Sequence, residues 1–169
     1  MADEIVNRVA QSKLVVIDLE DFYPQGKRVL FDIKDWLYEG FVLREKEFRQ
    51  HVKSYDWSQH QNQYVALICS TDAIVPAWAY MLITIELASF SKKTIIGDLN
   101  ALESSIYQHI INGLDLGSYQ DKPIIIKGCS NKPVPENAYV FLSEKLKPIA
   151  KSIMYGEACS SVPLFKKKK

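Results

Sequence analysis

The chain has 169 residues, 47% of them apolar and 24% charged, with 21 Lys and Arg against 20 Asp and Glu for a formal net charge of +1. A globular chain of this size buries roughly 70% of the surface its unfolded form exposes, and the composition excludes intrinsic disorder. The balanced charge offers no broad footprint for nucleic acid or an acidic membrane, and three cysteines cannot make a fully paired disulfide framework.

One α/β domain is expected over 1–169, less regular over 1–60 and ending in a flexible lysine tail over 166–169. Met1 to Ala10 is polar and lacks the apolar core of a signal peptide. The longest uncharged apolar stretch, Ala73 to Ile85, holds 13 residues and a proline, too few to cross a bilayer. The expected home is cytoplasmic, with reduced thiols, and neither nucleic acid nor membrane is expected as a partner.

In chain order, Glu4–Ala10 reads as a short helix and Lys13–Asp18 as a buried strand ending in an acid. Pro24-Gln25-Gly26 is a turn, Arg28–Ile33 a second strand, and Asp35–Glu39 a helical turn stopped by Gly40. Arg44–Tyr55 is amphipathic, with Phe48 and Val52 four residues apart. Tyr64–Cys69, Lys93–Gly97 and Pro123–Gly128 are apolar runs without alternation, as in strands covered on both faces. Helices follow from Pro76 to Phe90, from a capping box of Asn100 and Glu103 to Asn112, and from Pro135 to before Pro148; Ser152–Gly156 is a last strand. Strands alternating with helices predict a mostly parallel sheet covered by helices, with ligands bound outside the carboxyl ends of the strands.

No glycine-rich phosphate loop, G-x-S-x-G, H-E-x-x-H or C-x-x-C is present. The three cysteines share a setting instead. Cys69-Ser70, Cys129-Ser130 and Cys159-Ser160 each stand at or just beyond a strand end, with Pro76, Pro133 and Pro163 following. Cys69 to Tyr80 aligns with Cys129 to Tyr139 with one gap, as strand, Cys-Ser, loop, Val-Pro, two residues, Ala-Tyr, helix. This predicts a duplicated strand-Cys-Ser-helix unit, with both cysteines on one sheet edge beside Asp98 and within reach of Asp18.

Thiolates gain stability at helix N-termini, and three converging cysteines are a soft ligand set. Cys69, Cys129 and Cys159 are therefore expected to hold zinc or an iron–sulfur cluster, with Asp98 or a histidine as fourth ligand or an open position. Two alternatives stand beside this. One is a thiol enzyme in which a reactive cysteine attacks and a neighbouring cysteine resolves. The other is a non-catalytic partner-binding domain with inert buried cysteines. His109 is expected on a helix surface or in packing, His51 and His60 lack a paired acid, and Asp18, Glu20 and Asp21 read as a solvated loop. Trp36, Trp57 and Trp78 are expected in the core or at a partner surface.

The runs Ile17-Asp-Leu-Glu-Asp-Phe-Tyr-Pro24, Phe31-Asp-Ile-Lys-Asp-Trp-Leu37, Ile126-Lys-Gly-Cys-Ser-Asn-Lys-Pro-Val-Pro135 and Ser152-Ile-Met-Tyr-Gly-Glu-Ala-Cys-Ser160 resemble those of an uncharacterised family from Bacteroidetes. The resemblance spans essentially the whole chain and transfers no activity. That family is similar to proteins often encoded near Suf-type iron–sulfur assembly genes. The resemblance thus implies iron–sulfur assembly proteins as partners and a role in cluster assembly or delivery.

Overall fold

The computed structural model describes residues 13–128, 131–157 and 159–168. The helix expected over Glu4–Ala10 lies outside them. The described elements are, in chain order, β1 (Val15–Asp18), β2 (Arg28–Asp32), α1 (Glu45–Ser54), β3 (Tyr64–Ile68) and α2 (Ala77–Leu87). There follow β4 (Lys93–Ile96), α3 (Leu99–Gly113), β5 (Pro123–Lys127), α4 (Glu136–Leu146), β6 (Ser152–Glu157) and β7 (Ser160–Lys166). The fold is α/β with mostly parallel strands, as the alternation of elements predicts. The strands form two sheets, however, of order β1-β5-β6-β7 and β2-β3-β4.

The chain divides into two compact units, and their border falls inside α3. The inserted unit, 24–106, carries the all-parallel sheet β2-β3-β4. Its core is an aromatic-rich cluster around Phe31, Phe48, Trp57, Val65, Leu67 and Ile83. The flanking unit, 1–23 with 107–169, carries β1, β5 and β6 in parallel and β7 antiparallel to β6. Its core gathers Ile17, Tyr107, Ile124, Ile126, Leu142 and Ile153. β3, the middle strand of its sheet, and β5, one of the two inner strands of the other, are apolar without alternation, as strands covered on both faces are. Tyr64 to Leu67 of β3 and Ile124 to Ile126 of β5 are all buried.

Local chemistry explains where elements begin. Asp18 and Asp32 each end a strand and cap a 3-10 turn, their carboxylates accepting from the Glu20 and Lys34 amides at 3.0 Å. The helical turn expected at Asp35–Glu39 is therefore shorter and earlier, Ile33–Trp36. The carboxylate that caps α3 is that of Asp98, 2.8 Å from the Ala101 amide, and not the Asn100 side of a capping box. Glu103 instead pairs with Arg28, Oε1 to Nε 2.5 Å, both side chains nearly buried. Arg28 also donates to the carbonyls of Pro24 and Gly26, which pins the predicted turn.

β7 was not among the expected strands. Pro163 in its middle lowers a strand reading, yet proline is tolerated on an edge, and here it faces Met154 beside a register shift. The lysine run starts inside β7, and Lys167 Nζ reaches Asp121 at 3.1 Å.

Candidate functional site

The duplication is real and larger than the cysteine segments. Tyr64 of β3 corresponds to Pro123 of β5, Ala77 of α2 to Glu136 of α4, and Lys93 of β4 to Ser152 of β6, one constant offset of 59 residues. Both helices bury the same stripe, Ala79, Ile83 and Leu87 against Ala138, Leu142 and Leu146. Both start after a capping proline in the same extended conformation, φ −69° and −70°. Asn62 and Asp121 share a left-handed φ of 60° and 54° before the strands, and Gly97 and Gly156 a positive φ after them. At the front of each unit, Ile17-Asp-Leu-Glu-Asp-Phe22 matches Phe31-Asp-Ile-Lys-Asp-Trp36.

An offset of 59 on both sides of the loop leaves no place for the gap in the cysteine alignment. Cys69 corresponds to Gly128, and Cys129 to Ser70. The geometry shows why the residues differ. A Cβ on Gly128 would lie 2.5 Å from the Tyr155 hydroxyl, whereas the counterpart of Tyr155 is Ile96, which leaves room for a side chain at 69. Tyr155 packs edge-on against Tyr139 at 5.7 Å. The repeated Val-Pro-two-residues-Ala-Tyr motif is packing as well. Val75 and Val134 stand just before the cap and Tyr80 and Tyr139 at the fourth helical position, the spacing of a hydrophobic staple.

The metal expectation is overturned. No group of three His, Cys, Asp or Glu side chains among the described residues could hold a metal ion. The strands that precede Cys69 and Cys129 belong to different sheets, so a shared sheet edge does not exist. Cys129 lies outside the described residues. Cys69, the only cysteine of the inserted unit, is half-buried, its sulfur 3.4 Å from Thr71 Oγ1. Cys159 is exposed in the connection from β6 to β7. Among the described residues Cys69, Cys159 and Asp98 thus form no zinc or iron–sulfur cluster, and the ligand role expected of Cys129 lies outside them. Nor do inert buried cysteines describe the chain, given the exposure of Cys159 and the partial exposure of Cys69.

Most of the remaining expected residues make capping or packing contacts where they are described. Asp18 pairs with Lys127 at 2.8 Å. Burial pushes the Asp18 carboxyl up, but the Lys127 hydrogen bond, the Glu20 amide and the ammonium charges of Lys127 and Lys132 hold it below its ordinary value. Burial likewise acts on Asp32, and bonds from Ser70 and the Lys34 amide outweigh it. The Glu20 carboxylate accepts from the Asn131 amide, which ties the first turn to the loop after β5. His60 is buried between Tyr55 Oη at 2.9 Å and Gln63 Oε1 at 3.2 Å; His51 stacks on Trp36, and His109 is exposed on α3. Trp57 is buried, with Trp36 and Trp78 packed against the same core.

What the sequence reading missed is a surface. α2, Ala-Trp-Ala-Tyr-Met-Leu-Ile-Thr-Ile-Glu-Leu, has one charge, Glu86, and is apolar on its outer side too. Met81 is 62% exposed, Ile85 66%, and Ile96 of β4 60%. With Ala77, Tyr80 and Thr84 they line a groove of about 320 Å³. Tyr80 is held above its ordinary phenol value first by burial and then by the Cys69 and Asp32 charges. Glu86 lies instead in a cleft with Arg49, Lys53 and Trp57. The missed signal was the absence of a polar stripe on α2, because an amphipathic surface helix keeps one. Beside the groove β4 is an edge strand: among the described residues it pairs with β3 alone. The flanking unit has Val140, Glu144 and Tyr155 where the groove has Met81, Ile85 and Ile96, and β7 covers its β6 edge.

Fold and surface together define a duplicated α/β protein whose two copies differ at one sheet edge, where β6 carries β7 and β4, among the described residues, carries no further strand. Over residues 3–167 the sequence matches the family described as protein of unknown function DUF2480, and the chain belongs to that family. No curated protein and no solved structure matches it.

Proposed function

We propose that the chain is a protein-docking module whose contact surface is the outer face of α2 together with the free edge of β4. The supporting observation is the contrast between two copies of one unit. The same helix position carries Met81 and Ile85 in the inserted unit but Val140 and Glu144 in the flanking unit. The same sheet edge is open in one and paired with β7 in the other. Burying an apolar side chain of this size completely is worth about 1.5–3 kcal/mol, so a partner that covers three of them gains several kcal/mol. An open edge adds main-chain hydrogen bonds to an incoming strand. Among the described residues no helix is long and apolar enough to cross a membrane, so these side chains do not belong to a helical span.

A photo-crosslinking amino acid tests this when placed at Met81 in one full-length variant and at Val140 in another. Covalent protein adducts at position 81 and none at 140 are expected in the cells that make the protein. Equal adducts at both positions, or none at 81, would retire the docking reading.

A further inference from the structure

The docking reading leaves the partner open, and the backbone of β4 specifies one. We infer that the occupant is a second copy of this chain, joined through an antiparallel β4–β4 pair about a two-fold axis at Ile95. This rests on the docking reading and sharpens it.

The direction of each backbone group follows from the register. Leu67 of β3 stands opposite Ile96, and the Gly97 amide donates to the Leu67 carbonyl at 3.0 Å. In a parallel pair one strand residue sends both its N–H and its C=O to the same neighbour, and the next sends both the other way. Gly97 and Ile95 therefore bond toward β3, and Thr94 and Ile96 present N–H and C=O at the open edge. Two such edges laid antiparallel about Ile95 set Thr94 of one copy opposite Ile96 of the other, and the reverse. Each is a hydrogen-bonded pair, so four main-chain bonds form and no edge group of these residues is left over. The pairing is isologous, as a two-fold dimer requires.

Charge fits the same register. The axis places Lys92 and Lys93 of one copy beside Asp98 and Gly97 of the other. Lys92, whose ammonium also donates to the Gln25 carbonyl at 2.7 Å, and Asp98, whose carboxylate caps α3, are exposed just beyond the two ends of β4, so opposite charges come near one another at each end of the paired strands. The groove itself carries no charged side chain, its lining being Ala77, Tyr80, Met81, Thr84, Ile85 and Ile96. Two grooves therefore meet without like-charge repulsion. The fold also supplies the precedent: its other copy of the unit closes the equivalent edge with an antiparallel strand, β7. The inserted unit has no such strand, and a second β4 takes its place.

Sedimentation equilibrium of the full chain between about 1 and 100 µM tests this, a range in which a four-bond edge with an apolar groove is measurable. The expected mass is twice the 19.3 kDa of one chain. Ile85→Glu, in the groove, is expected to weaken the dimer at least tenfold. Thr94→Pro removes one outward N–H at an edge where proline is tolerated and is expected to do the same. Val140→Glu on α4 should leave the mass unchanged. A circular dichroism spectrum matching the parent certifies each variant as folded; if Thr94→Pro does not fold, Ile85→Glu at its exposed position decides. A mass of one chain at 100 µM, or a dimer indifferent to Ile85→Glu, overturns the proposal. A single mass together with adducts at position 81 to some other protein retires the dimer but keeps the docking reading. A single mass with no adduct retires both.

Discussion

The two units run the same elements over the same offset, yet they end differently at the carboxyl edge of the third strand. In the flanking unit, Tyr155 closes over Gly128, Lys127 is ion-paired to Asp18, and β7 covers the sheet edge. In the inserted unit the counterparts are Ile96, Cys69, Ile68 and, among the described residues, an edge without a further strand. The buried helix stripe is matched position for position, whereas the exposed positions are not. Burial fixes size and polarity because interiors are close-packed, and a solvent-facing position is free to take whatever its partner requires. On the docking reading, the divergence of the exposed side is where the two copies differ in function.

The largest expected effects test the shared part. Ile83→Ala and Leu142→Ala each remove a fully buried side chain from corresponding helix positions. Each should cost about 3 kcal/mol in urea unfolding. A cost under about 1 kcal/mol at one of them would break the equivalence of the two cores. Glu103→Ala comes next. It leaves Arg28 charged and nearly buried without its carboxylate, and a loss of about 3 kcal/mol is expected, as for one half of a buried pair. The counterpart of Arg28 in the flanking unit is Leu14, so this interaction belongs to one copy alone.

A smaller effect reads the exchange at the strand end. Gly128→Cys installs the residue of the inserted unit under the Tyr155 hydroxyl and should cost about 1–3 kcal/mol by overpacking. Adding Tyr155→Ile, which copies Ile96, should recover most of it. A double-mutant cycle that gives no coupling would remove the steric account of the Gly128–Tyr155 and Cys69–Ile96 exchange.

The smallest effects concern the two capping acids. Asp18→Ala and Asp32→Ala should each cost about 1 kcal/mol. Both carboxyls sit below their ordinary value of 3.8 in the folded chain. Their stabilisation is therefore complete above that value and is lost as pH falls below it, when the folded form must protonate them. Unfolding curves from pH 6 down to 2 should show the parent losing stability faster than an Asp18→Asn/Asp32→Asn variant. Parallel curves would show that neither acid contributes through its charge.

Much of the fold was legible. The apolar runs at 64–69 and 123–128 announce strands covered on both faces, and the strand–helix alternation announces parallel pairing; the run at 93–97 gives a strand, but an edge strand with Ile96 60% exposed rather than the covered one expected. The duplication was legible too, but the cysteines drew the alignment one residue out of register. The conformational markers Asn62 with Asp121 and Gly97 with Gly156 restore it. Asp18, expected in a solvated loop, and Asp32, which the sequence did not single out, prove to be caps, since a carboxylate after a strand serves the next free amides first.

Local chemistry and hydrophobic period are properties of short segments, so the amino-acid sequence by itself determined β1 to β6, the helices α1 to α4 and the existence of the repeat, but not β7, the Asp98 cap or the exact register of the repeat. Which strand lies beside which depends on contacts between residues far apart in the chain. Only the tertiary structure therefore decided that β3 and β5 lie in separate sheets, that Cys69 and Cys159 fall in different units, and that β4, among the described residues, pairs with β3 alone beside an apolar helix face.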